Sequence, residues 1–317
     1  MNLVIYMTKI AVISDIHGNY HAIDLFYKDA QKRGVTKVVC LGDLASKYFK
    51  NADTVDYAMN ISDYIVKGNI EHHLKDAKTD TFVDLRQVLG EERVELLTNL
   101  PYEQEITISG SVIDFFHAAP MGLDAKMKAK GYDEFAHFEA MFNPFVTFEQ
   151  QGQRYKDAGV VIPDDQVRNL FVDRDATNGV CTRRISLVGH SHQEYMGTLD
   201  GNRLKVIEGF EHIATPDAEM IINVGSIGDP SEVIIQDNKY AGIKMRDYIS
   251  YVILEGDLNS LEPEDIKIEM VRVPYIETIK AIYIDAKKHE GSLEYNPNTV
   301  KRLNEAINEF DKSVGSK

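Results

Sequence analysis

Seven side chains able to ligate a cation stand in five short clusters, and each cluster closes an apolar run. Asp15-Ile16-His17 follows the run from Lys9, Gly42-Asp43 follows Lys37 to Leu41, and Gly68-Asn69 follows Tyr64 to Val66. His117 follows Val112 to Phe116, and Gly189-His190-Ser191-His192 follows Ile185 to Val188. Imidazole suits Mn, Fe, Zn or Ni, whereas carboxylate suits harder ions, so the mixture fits a site for two divalent metals. Two such ions a few ångströms apart need one carboxylate between them to offset their repulsion. The one-residue spacing of Asp15 and His17 lets both face one ion across a tight turn, and His190 and His192 have the same spacing. Singly, an Asp-x-His or Gly-Asp pair is an ordinary loop. The ordered set of five, each at the end of a buried strand, points to a metal site.

The elements that must position these clusters read as strand, polar loop, helix, repeated. The pattern predicts strands at Lys9 to Ser14, Lys37 to Leu41 and Tyr64 to Val66. It predicts helices at Tyr20 to Arg33, stopped by Gly34, at Thr54 to Ile61, and at Glu91 to Leu100, stopped by Pro101. Such alternation implies an α/β fold with ligand groups at the carboxyl ends of strands. Glu103 to Ile108 and Ser111 to Phe116 flank Ser109-Gly110 and read as a hairpin. Further strands are expected at Ile185 to Val188, Tyr195 to Leu199, Arg203 to Ile207, Met220 to Asn223 and Tyr248 to Leu254, then helices at Tyr275 to His289 and Asn298 to Lys312. The expectation is one catalytic domain over residues 1–317, interrupted by a helical, aromatic-rich insertion at 121–183. That insertion contains Tyr132, Phe135, Phe138, Phe142, Phe145 and Phe148. It reads as a small cap, expected to shape specificity or self-association into a homo-oligomer.

The 317 residues are enough for a large core. A net charge of −15 with no dense Lys/Arg run disfavours an extended nucleic-acid partner. Two bound cations would still draw in a small phosphorylated substrate. The two cysteines, Cys40 and Cys181, suggest no disulfide framework and fit a reducing compartment. Met1 to Tyr6 is too short for a signal or a membrane span, so a cytoplasmic protein with no membrane partner is expected.

The motifs together resemble the calcineurin-like metallophosphoesterase superfamily, in particular its small bacterial and archaeal phosphodiesterase-like branch. The resemblance rests on Ser14-Asp15-Ile16-His17-Gly18-Asn19, Gly42-Asp43-Leu44, Gly68-Asn69, His117-Ala118-Ala119-Pro120, Gly189-His190-Ser191-His192 and Asn223-Val224-Gly225-Ser226-Ile227-Gly228. Val224 stands where that branch usually has proline. The likeness runs in order from about residue 8 to 275, insertion excepted. It implies a four-layer αββα sandwich of two mixed sheets with flanking helices, and two divalent metal ions, with Mn²⁺ the choice for assay. Asp15, His17, Asp43 and His192 would hold one ion; Asp43, Asn69, His117 and His190 would hold the other, with Asp43 as the bridge. Metal-bound hydroxide would attack phosphorus in line. Asn19 and the Gly225-Ser226 backbone would lie near the site, the latter as support for the histidine loop.

One departure bears on mechanism. Many members of the superfamily carry a proton-donating histidine directly after the motif asparagine, where this chain has Ile70. His72 or His73 would be the substitute, against the plainer reading of both as residues at a helix start. Asn19 and His21 are candidates for substrate contact, against a solvated helix position for His21. Phosphodiester or phosphomonoester hydrolysis is the leading function. The alternatives are a non-catalytic or weakly catalytic metal-binding scaffold of the same fold, and a Ser/Thr-type protein phosphatase. The arginine-bearing motifs of that last class are absent around Asp43 and Asn69. A repair nuclease is disfavoured by the acidic surface.

Overall fold

The computed structural model describes residues 7–46, 48, 50–75, 79–121, 185–201, 203–237, 239–293 and 296–315. The expected insertion at 121–183 falls almost wholly outside these residues. Two six-stranded mixed sheets form the frame. The first runs β3 (Tyr64–Ile65), β2 (Lys37–Cys40), β1 (Thr8–Ile13), β13 (Tyr248–Gly256), β14 (Ile266–Pro274), β9 (Glu211–Ala214). The second runs β4 (Glu103–Ile108), β5 (Ser111–Phe116), β6 (Ile185–Val188), β10 (Met220–Asn223), β7 (Tyr195–Asp200), β8 (Arg203–Val206). A separate hairpin pairs β11 (Ser231–Gln236) with β12 (Lys239–Met245). These are the two mixed sheets with helices expected of the fold class.

The alternation of β1 shows why the sheets stack. Successive side chains point to opposite faces. Ile10 and Val12 join Val39, Val252 and Leu254 against Phe115, Leu187 and Ile222 of the second sheet. Ala11 and Ile13 face the other way, into a core shared with helices. A strand buried on both faces therefore reads as a continuous apolar run.

The helical layer covers the outer face of the first sheet. It comprises α1 (Tyr20–Lys32), α2 (Asn51–Ile61), α3 (Asn69–His73), α4 (Asp80–Leu89) and α5 (Glu91–Thr98). After the second sheet come α6 (Ile276–Lys288) and α7 (Pro297–Gly315). In α1, Ala22, Ile23, Phe26 and Ala30 make one buried stripe. Phe26 meets Tyr251 edge-on with ring centroids 4.9 Å apart. Full burial of such a side chain contributes roughly 1.5–3 kcal/mol. Among the described residues, all seven helices contribute to the core on the outer face of the first sheet.

Beyond the expected elements, the structure adds α4, β9, β11, β12 and β14. Crucially for the site, β1, β2 and β3 are parallel, as are β5, β6 and β10. Their carboxyl ends lead into the five polar clusters, so the two sheets deliver all of them to a common edge.

Candidate metal centre

The loops at that edge are stitched together by main-chain hydrogen bonds. Asp15 N–H donates to the Gly42 carbonyl at 3.1 Å, His17 N–H to that of Asp43 at 2.8 Å, and Gly189 N–H to that of His117 at 2.8 Å. Asp15, His17, Asp43, His190 and His192 all have φ between +51° and +63°. Non-glycine residues adopt this left-handed region at a cost, and a cluster of them marks a site where geometry serves function. Neighbouring glycines make the close approach possible. A Cβ on Gly68 would stand 2.2 Å from Asp43 Oδ1, and one on Gly189 would stand 2.0 Å from Ser14 Oγ.

All seven expected ligand residues converge, in two groups. His17 Nε2 lies 3.0 Å from His192 Nε2, and Asp15 Oδ1 lies 3.2 Å from the latter and 3.7 Å from the former. In the second group, His117 Nε2, His190 Nδ1 and Asn69 Oδ1 are mutually 3.0 to 3.1 Å apart. Asp43 Oδ2 stands between the groups, 3.9 Å from His17 Nε2 and 3.7 Å from His117 Nε2. Two nitrogen ligands at about 2.1 Å from one tetrahedral ion are roughly 3.4 Å apart, close to the spacing seen here.

The donors face inward because their far sides are occupied. His117 Nδ1–H donates to the Leu41 carbonyl at 2.7 Å, and His192 Nδ1–H donates to the Asp229 carbonyl at 2.8 Å. Each bond fixes the tautomer that leaves the Nε2 lone pair toward the cluster. Asp15 Oδ1 is fully buried yet carries no hydrogen bond. An unpaired buried carboxylate oxygen is costly unless a cation meets it. The residues therefore fit a divalent-metal site, with Asp15, His17 and His192 as one candidate group and Asp15, Asp43 and His117 as another.

The electrostatics show the same demand. Burial works to raise the Asp15 carboxyl, but the imidazoles of His192, His117 and His17 outweigh it and hold Asp15 well below the usual carboxylate range. Asp43 goes the other way. Burial first, then the negative charges of Glu71 and Asp15, push it up to about 7 despite His117. Burial opposes charging of His117, but Asp43 and Asp15 raise it overall. Without a cation, the Asp43 carboxyl is thus biased toward its protonated form and the Asp15 carboxyl toward its ionised form.

The other expected site residues are placed differently. Asn19 is 1% exposed, and its amide is committed to architecture. Its oxygen caps α1 at Ala22 N–H, while its nitrogen donates to the Gly228 carbonyl and the Tyr275 hydroxyl. These three bonds give Asn19 a structural role at the start of α1. His21 is paired with Asp285 at 3.3 Å, with Lys50 on the same carboxylate at 3.1 Å. His72 shares a 2.6 Å hydrogen bond with the Tyr102 hydroxyl, and His73 packs against Phe82. Ile70 is buried in the helix-side core.

Two supporting side chains, Glu71 and Asn223, went unassigned by sequence reasoning, and Ser226 acts through its hydroxyl. Glu71 is fully buried, and its carboxylate accepts from the N–H groups of Asp43, Leu44 and Gly68, each at 2.8 Å. The signal was a glutamate three residues after the Gly68 cap, the spacing of a capping box. Asn223 donates to the Gly189 carbonyl and to Ser191 Oγ, steadying the His190–His192 loop. Ser226 donates to the Asp15 carbonyl. The histidine loop is thus held by the Asn223 side chain, and the Ser226 hydroxyl holds the Asp15 loop instead.

A frame of two mixed sheets, with this donor set where parallel strands end, defines a metallophosphoesterase-type site. The chain belongs to the calcineurin-like phosphoesterase superfamily, whose domain model matches residues 8–247. It is 25% identical over 277 residues to an uncharacterised protein of Methanocaldococcus jannaschii, covering 84% of this chain and 88% of that one. Two solved structures share the fold. A metallophosphoesterase from Sphaerobacter thermophilus matches with a TM-score of 0.56 at 16% identity, over 93% of this chain and 98% of its own. A hypothetical protein from Pyrococcus horikoshii matches at 0.50 and 14%, over 93% and 97%. No helix among the described residues is long and apolar enough to cross a membrane.

Proposed function

We propose that this chain hydrolyses the phosphate ester of a small substrate in the cytoplasm with two bound divalent cations, and that it accepts diesters at least as well as monoesters. The observation that carries this reading is the convergence of seven donors, two of whose imidazoles are locked from behind. Asp15, His17, Asp43 and His192 would hold one ion and Asp43, Asn69, His117 and His190 the other, with Asp43 Oδ2 shared. Bound there, the ions supply the acidity that makes water a nucleophile at neutral pH and the charge that steadies the phosphoryl oxygens. The protein keeps the donors dry and preset. Asp15, His17, Asp43, His117 and His192 are buried, whereas Asn69 and His190 are half-buried, so the phosphate has its approach on that side. A diester carries one negative charge, which suits a chain of net charge −15 better than a dianionic monoester does.

Departure of the leaving group needs a proton. His72 lies three residues after Asn69, on the same side of α3, and Tyr102 orients its ring. Buried Ile70 favours one other reading, a metal-binding scaffold without turnover. Purified protein with Mn²⁺ tests both, using an activated phosphodiester beside the matching phosphomonoester. Diester turnover should equal or exceed monoester turnover. Asp43→Asn should lose about 10³-fold in both, the loss of several kcal/mol of charge stabilisation. Full activity in Asp43→Asn would overturn the assignment, and Mn²⁺ binding without turnover would select the scaffold.

A further inference from the structure

The site's back wall runs through a helix beyond the residues matched to the family. From α7, Arg302 reaches Asp229 with two prongs, Nη2 to Oδ1 at 2.7 Å and Nη1 to Oδ2 at 3.3 Å. Asp229 is 1% exposed. Its carbonyl oxygen is the acceptor for His192 Nδ1–H, and its Oδ2 lies 3.6 Å from the same nitrogen. Its own N–H donates to Ser226 Oγ at 2.8 Å, and Tyr48 donates to Oδ1 at 3.4 Å. A carboxylate so buried needs a partner cation to stay charged and in place. Burial opposes the charge on Arg302, and Asp229 outweighs it.

An imidazole binds a metal only when its lone pair points at the ion, so whatever fixes the opposite nitrogen sets the affinity. We infer that Arg302 is a positioning residue for His192: by clamping Asp229 it aims Nε2 at the Asp15–His17 group and sets cation affinity on that side alone. The inference rests on the two-cation reading above. The other group has a different support, since His117 is held by the Leu41 carbonyl and Asp43 by Glu71. The defect from losing Arg302 is therefore one-sided.

Calorimetric titration of the full-length, metal-stripped chain with Mn²⁺ tests this. Arg302→Lys keeps the charge and loses the two-pronged fork. It should weaken one of the two Mn²⁺ sites about 10- to 100-fold and leave the other unchanged. Lys301→Ala, at an exposed position paired with Glu305 on the same helix, should titrate as wild type. Should Arg302→Lys fail to fold, the double variant Arg302→Gln/Asp229→Asn removes the buried charge pair together and keeps the carbonyl that His192 uses; one weakened site is again expected. Two unchanged sites in the folded variant overturn the inference, as do two sites weakened equally alongside a lowered melting temperature, which is the signature of a general structural role. If the wild type takes up no Mn²⁺, the two-cation reading itself falls and takes this inference with it.

Discussion

The two sides of the metal centre are held by different lengths of chain. Asn69, His117 and His190 are backed from within the first part of the chain and from β10: the Leu41 carbonyl lies behind His117, Glu71 gathers the Asp43, Leu44 and Gly68 amides, and Asn223 ties the loop that carries His190. Asp15 and His192 draw also on residues nearer the carboxyl end. Ser226 holds the Asp15 carbonyl, Asp229 backs His192, and Arg302 fixes Asp229 from the last helix. A site built this way has one side whose supports end at β10 and another whose supports run on to the last helix. Asp43 belongs to both, which is why its loss should be felt everywhere.

The sharpest way to break the comparison is Glu71→Gln. The amide keeps one acceptor oxygen and turns an NH₂ toward donors that it cannot satisfy. Leaving buried N–H groups unpaired should cost about 2–4 kcal/mol in urea unfolding, and affinity on the Asn69 side should fall with it. A variant as stable as the parent would show that the local support is dispensable.

Acidity gives the next largest effect. Asp43 sits at about 7 in the folded, metal-free chain against an ordinary 3.8. A raised acid favours the fold fully below its unfolded value and gives that contribution up as pH climbs through the folded one. The metal-free protein should therefore lose melting temperature between about pH 4 and pH 7 on this account. Asp15, shifted downward, acts below that window, with stability lost as pH falls. Mn²⁺ replaces the Asp43 proton, so its thermal shift should be larger at about pH 8 than at about pH 5. Equal shifts at both would contradict a raised Asp43.

Asn19→Ala sharpens the remote side. It removes the α1 cap and the tie to Tyr275, for roughly 1–2 kcal/mol of stability, without changing Mn²⁺ stoichiometry. A change in KM at full stability would place Asn19 at the substrate. The smallest effect belongs to His21→Gln, whose half-exposed contact with Asp285 should be worth about 0.2–1 kcal/mol and leave kcat/KM alone. A tenfold drop in kcat/KM would make His21 a substrate contact after all.

Much of the centre was legible because strand ends announce themselves. A short apolar run followed by Asp, Asn or His needs only a buried strand to place that residue at a sheet edge, and Asp15, Asp43, Asn69, His117 and His190 all follow from it. The hairpin at Ser109-Gly110 was equally plain. Supports from afar were not legible. Nothing near Arg302 in sequence says that its partner is Asp229, because α7 meets the β10 loop only after both sheets have formed. The short strand β9 and the β11–β12 hairpin alternate weakly. β14 is another matter, since Ile266, Ile268 and Met270 alternate with charged residues and carry the signal openly. The structural role of Asn19 was not legible either: it lies close to Asp15 in sequence, but the start of α1 carries its amide inward to Tyr275.

The neighbours of β1 have a bearing on how the chain comes into being. One edge of this first strand finds β2 within a few dozen residues, while the other waits for β13. During synthesis the amino-terminal strand must keep that edge bare until residue 256 has left the ribosome, and such long-range pairing is slow. The nascent polypeptide thus cannot complete its site early, and one edge of β1 stays unpaired for most of its translation.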